Sequence, residues 1–393
     1  MTKSFFALLM AQFLSAFADN AVLFTIISIV IHSPDNPQWY VPALQSAFLI
    51  AFVVLAPWSG YVADRFAKSQ VLLLANFVKA FGCVLLLCEV EPLFAYGIVG
   101  MGAAIYSPAK YGILPELVES DNLVKANSWI EGSTILAILL GMIIGAKVAE
   151  ASTNIALGGA VGLFLLSALI ACYLPKYRCD YLTDVRPSLS EFFRQIMHFF
   201  MQPLACFVIF SGALFWAVAA TLRVILVGWA PVVLKLNTAS DIAQLTLFLA
   251  IGIIIGSSVV SKLITLKNLS RVGFAAYGMA LSIISLSFTD VMLYAQLILL
   301  FTGIMGGVFI VPINAALQNI GVNDIGTGHA VAIQGFFQNV AMLLALSIYS
   351  YAVAQSLSPI AAMLSLGVVF FVAVLALTLY HFYVNKPIYK QHL

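Results

Sequence analysis

The stretch AQFLSAFADNAVLF, residues 11–24, is apolar along most of its length but carries a carboxylate, Asp19, and an amide, Asn20, near its middle. It belongs to a longer apolar run that continues to Ile31. An ionised group in hydrocarbon costs about 2.5 to 3.5 kcal/mol on insertion scales, so a sequence that keeps one there usually has a task for it. The stretch therefore predicts a membrane-spanning helix with a functional group inside it.

The composition of the whole chain supports a membrane protein. Of its 393 residues, 63% are hydrophobic and only 9% are charged, whereas charged residues make up about a quarter of a soluble globular protein. A soluble globule is excluded. The apolar N-terminal run has no small-residue cleavage site, so we expect a retained span and not a signal peptide.

Twelve segments are long enough to cross a bilayer, which takes roughly 20 apolar residues. The predicted spans are residues 4–31, 40–62, 69–88, 92–108, 124–149, 155–174, 203–229, 240–265, 271–289, 291–317, 328–356 and 358–384. The predicted fold is therefore an all-α membrane protein of twelve transmembrane helices.

The positions of Lys and Arg predict the orientation. If the N-terminus is cytoplasmic, only Lys147 and Lys235 fall on the outer side, while most of the other basic residues fall inside. This asymmetry is the positive-inside pattern. We therefore expect both termini to be cytoplasmic.

The longest cytoplasmic connection, residues 175–202, divides the spans into a six-helix bundle at 1–174 and a second at 203–393. Within it, Ser188 and Glu191 have the spacing of a capping box, and apolar residues then recur at helical intervals. A simple lead-in to span seven is an alternative, but the pattern favours an interfacial amphipathic helix.

The two halves resemble each other. Pro108 in the first half matches Pro312 in the second, and Gly132 matches Gly335 at nearly the same offset. Two six-helix pseudo-repeats are expected to place binding groups near the midplane between the halves.

The loop between spans two and three contains Gly60, Asp64, Arg65 and Lys68. The glycine allows close helix approach, Asp64 can accept from exposed amides at a neighbouring helix N-terminus, and the two basic residues can hold the cytoplasmic face. This spacing resembles the signature loop of the major facilitator superfamily, which implies that fold and a conformational role for the four residues. An ordinary charged loop is the alternative.

Several polar residues in or next to the spans are candidate substrate-binding residues, and some of them share a helix face with other polar residues. They are Asp19, Asn20, Tyr106, Lys110, Glu131, Arg223, Asn314, Gln318, Gln334 and Gln338. Spans one, four, seven and ten usually line the cavity in the fold that the loop resembles, so Asp19, Lys110 and Arg223 are expected to face it. Two alternatives stay open, because Asp19 and Arg223 can instead pair with each other and the amides can simply hydrogen-bond across helices.

Lys79 in span three is a weaker candidate. Its stem can equally lie along lipid with its ammonium drawn toward water.

An enzyme is not expected. The five histidines fall at span ends or in loops, and the sequence has no HExxH, GxSxG or GxxxxGK[ST] motif. We therefore predict no catalytic residue, no metal and no cofactor, and we expect an ion gradient or the substrate's own gradient to drive transport.

Five stretches resemble a particular family: AQFLSAFADNAVLF in span one, AIYSPAKYGILPELV after span four, KANSWIEGSTILAILLG in span five, TLRVILVGW in span seven and GIMGGVFIVPINAALQ in span ten. They look like the bacterial lysophospholipid transporters of the major facilitator superfamily, and the similarity runs from about residue 11 to 350. The resemblance implies a flippase that carries lysophosphatidylethanolamine and lysophosphatidylglycerol to the cytoplasmic leaflet of the inner membrane. It also implies a functional link to a cytoplasm-facing acyltransferase with acyl-carrier-protein ligase activity.

The candidate residues suit such a substrate. Lys110 and Arg223 can bind a phosphate, and Asp19 or Glu131 can meet an ammonium. The acyl tail is expected to stay in a groove open sideways to lipid, lined by residues such as Phe24, Phe48, Phe52, Phe215 and Phe248. Two other functions remain open: a proton-coupled exporter of amphipathic drugs, and a non-transporting membrane scaffold for the acyltransferase.

Overall fold

The computed structural model describes residues 2–31, 40–176, 188–236 and 239–384. Within these ranges it contains twelve long helices and two short ones. They are α1 (Lys3–Ile31), α2 (Tyr40–Arg65), α3 (Lys68–Leu87), α4 (Pro92–Gly112), α5 (Leu114–Leu117), α6 (Leu123–Ala151), α7 (Thr153–Ala171), α8 (Leu189–Phe200), α9 (Pro203–Val233), α10 (Ala239–Leu263), α11 (Val272–Leu286), α12 (Met292–Asn323), α13 (Thr327–Ala354) and α14 (Pro359–Val384).

The twelve predicted spans are confirmed as twelve long helices. Among the described residues, eleven are long and apolar enough to cross a membrane, and α4 is the twelfth. The largest boundary difference is in α12, which continues through a polar stretch to Asn323 where the sequence suggested an end at residue 317. Part of the predicted linker, the C-terminus, and the basic residues Arg178, Arg186, Lys386 and Lys390 lie outside the described residues.

The described chain forms two compact units. The first comprises residues 1–192 together with 318–339, and the second comprises 193–317 together with 340–393. The division into bundles at 1–174 and 203–393 remains a prediction, because the segment 318–339 clusters with the first unit.

In the first unit, α1 packs against α6 and α7, α3 against α4 and α7, and α2 against α4. Two glycines allow α1 and α6 to approach closely. A Cβ atom at Gly141 would lie 2.4 Å from the Phe17 carbonyl oxygen, and one at Gly145 would lie 2.5 Å from the Ala21 Cα. This contact sets the rotation of α1 and so decides which of its faces meets α3.

In the second unit, α9 and α11 pack against α14, and α10 meets α12 through facing glycines. A Cβ atom at Gly252 would lie 2.1 Å from the Leu300 carbonyl oxygen, and one at Gly303 would lie 2.1 Å from that of Leu249. Small residues of this kind allow membrane helices to pack backbone to backbone.

The amphipathic segment is a helix, α8, as the sequence predicted. The Ser188 hydroxyl accepts a hydrogen bond from the Glu191 amide at 3.1 Å, which is one half of the predicted capping box. One apolar row of α8 is buried and includes Phe192 and Ile196, whereas a second row including Phe193 and Met197 is exposed. The interfacial position of α8 remains a prediction that this exposed apolar row supports.

Candidate functional site: a charged cluster in the first unit

The centre of the candidate site is an ion pair between Asp19 on α1 and Lys79 on α3. The Lys79 ammonium lies 2.7 Å from Asp19 Oδ2 and donates a second hydrogen bond, at 3.0 Å, to the Ser15 hydroxyl. It also lies 4.7 Å from the centroid of the Tyr106 ring, a cation–π contact. The other carboxylate oxygen, Asp19 Oδ1, is buried and has no hydrogen-bond partner among the described residues.

A chain of hydrogen bonds holds this ion pair in place. Ser15 Oγ donates to Asn76 Oδ1 at 2.8 Å, Asn76 Nδ2 donates to Ser167 Oγ at 2.9 Å, and Ser167 Oγ donates to the Ala11 carbonyl at 2.7 Å. The network links α1, α3 and α7. Because every one of these side chains is almost fully buried, their positions are set by the bundle and not by solvent.

Lys79 does not lie along lipid. Its exposure is only 1%, so the expectation that its ammonium reaches toward water is wrong. Its stem passes over Gly102 of α4, where a Cβ atom would lie 2.6 Å from Lys79 Cγ. Gly102 therefore makes the room in which the lysine can turn inward to Asp19.

Two further charged residues, Lys110 on α4 and Glu131 on α6, lie in the same unit and both contact Tyr111. The Tyr111 hydroxyl donates to Glu131 Oε1 at 2.7 Å, and the Lys110 ammonium lies 4.2 Å from the centroid of the Tyr111 ring. Lys110 is within electrostatic reach of Glu131, Lys79 and Asp19. The structure thus brings four predicted residues, Asp19, Tyr106, Lys110 and Glu131, into one charged cluster around Lys79.

Other predicted residues are held in contacts of their own. Asn20 Nδ2 donates to the Ala16 carbonyl at 2.8 Å. Gln318 and Asn127 exchange two hydrogen bonds, at 2.8 and 2.9 Å. Gln334 is buried in the first unit and Gln338 is partly exposed there. The Gln318–Asn127 pair joins α12 to α6, whereas the Asn20 hydrogen bond stays within α1.

In the second unit, Asn314 is buried and Arg223 is exposed on α9. Arg223 forms no hydrogen bond or ion pair with the described residues of that unit. Phe215 is only 3% exposed and its ring packs edge-to-face against Phe309, 6.1 Å between centroids. Phe215 is therefore enclosed in this structure, and its place in a lateral groove remains a prediction. Phe24, Phe48, Phe52 and Phe248 are partly exposed.

The residues of the predicted signature loop lie at the end of α2 and the start of α3, not in an open loop, and they form a second polar centre at the junction of α2 and α13. Asp64, which is 1% exposed, accepts from the Gly328 and His329 amides, each at 2.8 Å, and its Oδ2 lies 2.8 Å from His329 Nδ1. The prediction that Asp64 accepts from the exposed amides of a neighbouring helix is confirmed at the N-terminus of α13. Gly60 allows the approach, because a Cβ atom there would lie 2.9 Å from the His329 Cα.

The two basic residues of the loop have different positions. Arg65 is exposed and stacks over the Tyr61 ring at 5.5 Å. Lys68 is buried, and its ammonium lies 2.6 Å from Glu116 Oε1 and 3.8 Å from Asp64 Oδ1. Glu116 lies outside the spans, in α5, where burial raises the pKa of its carboxyl group and the Lys68 ammonium opposes that increase.

Sequence reasoning missed Lys79 as the partner of Asp19, and His329 and Glu116 as partners of the signature loop. A signal for Lys79 was available. Asn76 and Lys79 share a face of α3 at i, i+3 spacing, and Ser15 and Asp19 share a face of α1 at i, i+4 spacing. Two polar faces in apolar helices are expected to meet, because lipid cannot satisfy them.

The fold defines a class of membrane transport protein. A sequence profile of the Major Facilitator Superfamily matches residues 8–346. The structure is similar to the transporter FucP in its outward conformation, with a TM-score of 0.76 over 97% of this chain and 99% of that one, at 14% identity. It is also similar to a human organic anion transporter, with a TM-score of 0.72 over 97% of this chain and 100% of that one, at 13% identity. At such identities these structures define the fold alone.

More closely related sequences narrow the class. The lysophospholipid transporter LplT of Klebsiella pneumoniae is 39% identical over 386 residues, 96% of this chain and 95% of the relative. Its namesakes from Cronobacter sakazakii and Escherichia coli are 38% and 37% identical over the same length. The chain belongs to the Major Facilitator Superfamily and, within it, to the family of these bacterial transporters.

Proposed function

We propose that this chain is a secondary transporter that moves lysophospholipids across the bacterial inner membrane to its cytoplasmic leaflet. The observation that carries the proposal is its identity of 37% to 39%, over almost its whole length, to proteins named for lysophospholipid transport. The charged cluster of the first unit supports it, because a lysophospholipid headgroup carries both an anion and hydrogen-bond donors. No chemical step is required of the protein.

The cluster offers a group for each part of the headgroup. Lys110 is the cation of the cluster that we assign to the phosphate. Arg223 of α9, in the second unit, is a separate phosphate-binding candidate that the sequence supplies. Asp19 and Glu131 are the carboxylates for an ethanolamine ammonium. Tyr106 packs against the ammonium of Lys79 and completes the wall of the cluster. Asn20, Asn314, Gln318, Gln334 and Gln338 become accessory candidates, since helix contacts already engage Asn20 and Gln318.

The acyl tail requires a route that avoids water. At about 0.8 kcal/mol per methylene, exposing a chain of ~16 carbons would cost on the order of 12 kcal/mol. A closed aqueous cavity is therefore unsuitable. We propose that the headgroup crosses through the polar interior by alternating access while the tail stays in contact with lipid through a lateral opening.

Three further assignments belong to this proposal. Both termini are cytoplasmic, as the distribution of Lys and Arg suggests. Gly60, Asp64, Arg65 and Lys68 form a conformational motif. The delivered lysophospholipid is reacylated by a cytoplasm-facing acyltransferase with acyl-carrier-protein ligase activity.

The test is uptake of radiolabelled lysophosphatidylethanolamine by spheroplasts that lack their own transporter and produce this protein. We expect uptake that Asp19→Ala or Arg223→Ala nearly abolishes. Arg271→Ala is the matched control, because Arg271 is an exposed arginine of the same unit at the N-terminal end of α11. Folding of each variant is checked by its elution profile and unfolding temperature.

Two results would contradict the proposal. No uptake by well-produced wild-type protein would reject lysophospholipid transport. Normal uptake by both the Asp19 and Arg223 variants would reject the assignment of these two residues to headgroup binding. Export of a cationic amphipathic drug that stops when the proton gradient is collapsed, without lysophospholipid uptake, would favour the drug exporter instead.

A further inference from the structure

The Lys79 ammonium binds one of the two carboxylate oxygens of Asp19, a residue that the proposed function assigns to the substrate. The ammonium neutralises Asp19 through Oδ2 and leaves Oδ1 buried without a donor. A buried acceptor without a partner carries a desolvation cost. A hydrogen-bond donor on a headgroup would relieve that cost.

The lysine itself is not placed to bind a lipid. It is enclosed by Ser15, Tyr106 and Phe164, with its ammonium 5.5 Å from the centroid of the Phe164 ring. Its side chain is almost fully buried, whereas that of Asp19 is 19% exposed. Asp19 is therefore the more accessible residue of the pair, and a headgroup donor reaches the buried Oδ1 by displacing the groups that cover it here, whereas the ammonium lies behind it.

We propose that Lys79 is a positioning residue that determines headgroup specificity. By neutralising Asp19 from inside the bundle, it lets Oδ1 accept a hydrogen bond from either an ammonium or a hydroxyl group. Zwitterionic ethanolamine headgroups and net-anionic glycerol headgroups are then both accepted. This inference rests on the proposed function, of which it specifies the substrate range.

The charge balance of the cluster explains the effect. By formal charge, the cluster holds two carboxyl groups, those of Asp19 and Glu131, and two amines, those of Lys79 and Lys110. Without Lys79 the cluster carries one uncompensated negative charge. A headgroup that brings its own ammonium can compensate for that charge, whereas one with only hydroxyl groups cannot, and its phosphate is repelled.

The experiment compares binding and transport of lysophosphatidylethanolamine and lysophosphatidylglycerol by purified protein. Transport is measured in proteoliposomes. Binding is measured in detergent, where the affinity for each lipid is obtained from the increase in unfolding temperature with lipid concentration. We expect Lys79→Met to lower the affinity ratio of the glycerol to the ethanolamine lipid by about tenfold, which corresponds to ~1.4 kcal/mol. We expect Asp19→Asn, which leaves the lysine charge unpaired, to shift the same ratio in the opposite direction.

The control is Lys147→Met, which removes an exposed lysine of α6 and should leave the ratio unchanged. If Lys79→Met does not fold, the opposite shift in Asp19→Asn still decides, because a purely structural pair predicts no change of preference. Equal loss for both lipids in an otherwise active protein would overturn the inference alone. Wild-type protein that moves neither lipid would overturn the proposed function and this inference with it.

Discussion

Replacing Asp64 by asparagine should loosen the junction between α2 and α13. The carboxylate accepts from two backbone amides at 2.8 Å and contacts His329 Nδ1 at 2.8 Å. Asparagine has the same shape but only one acceptor oxygen, and its amide group would point hydrogens at an N–H donor. Hydrogen bonds to a charged group contribute about 1.5–3 kcal/mol each, so loss of one of them should cost ~2 kcal/mol.

Thiol labelling can measure that cost. Val331 lies on α13 close to the junction and is 5% exposed, so Val331→Cys gives a buried reporter of similar size. If labelling by a water-soluble maleimide occurs only when the junction opens, its rate follows the open population. A change of ~2 kcal/mol should then raise the labelling rate by about 30-fold.

The matched control is Asp121→Asn, which removes an exposed carboxylate of the same unit. Labelling is compared with protein that lacks the reporter cysteine, because native thiols also react. An Asp64→Asn rate within threefold of the parent would refute the reasoning. It would mean that packing around Gly60, and not the carboxylate, holds the junction together.

Two further predictions concern stability. Gly252→Ala should lower the apparent unfolding temperature, because its Cβ would lie 2.1 Å from the Leu300 carbonyl oxygen and overpacking costs about 1–3 kcal/mol. The control is Gly132→Ala, whose Cβ would have nothing within 4 Å and which should raise the unfolding temperature or leave it unchanged. Equal effects of the two substitutions would contradict the argument. The raised pKa of Glu116 means that this group binds a proton more tightly in the folded state than in the unfolded state. Its contribution to the free energy of unfolding therefore falls as the pH rises from the ordinary glutamic acid pKa through the raised one. The unfolding temperature of wild type minus that of Glu116→Gln should therefore decrease over that interval, and a constant or increasing difference would contradict the assignment.

The sequence predicted the positions of the helices better than the side-chain contacts between them. Apolar length and the Pro, Gly and charged boundaries are local properties, so twelve spans could be located. The pairing of Asp19 with Lys79 is not local, because it depends on the rotation of α1 that the glycines of α6 set. The contact of Asp64 with helix amides could be predicted, because the exposed amides at a helix N-terminus favour a carboxylate acceptor. Nothing in the sequence identified His329 as the third partner.

Hydrogen-bond satisfaction separates candidates that looked equivalent in the sequence. Gln318 and Asn127 satisfy each other in both directions, which is what a fixed helix contact requires. Asp19 is different, because one oxygen is saturated by Lys79 and the other is buried without a donor. A buried ion pair is often no more stable than well-packed apolar residues, so its retention calls for a reason other than stability. An unfilled acceptor next to a neutralising lysine supplies one, since it can bind a headgroup donor without leaving a net charge in the bundle. On this criterion Asp19 Oδ1, and not an amide of Gln318, is the atom that we propose accepts the first headgroup hydrogen bond.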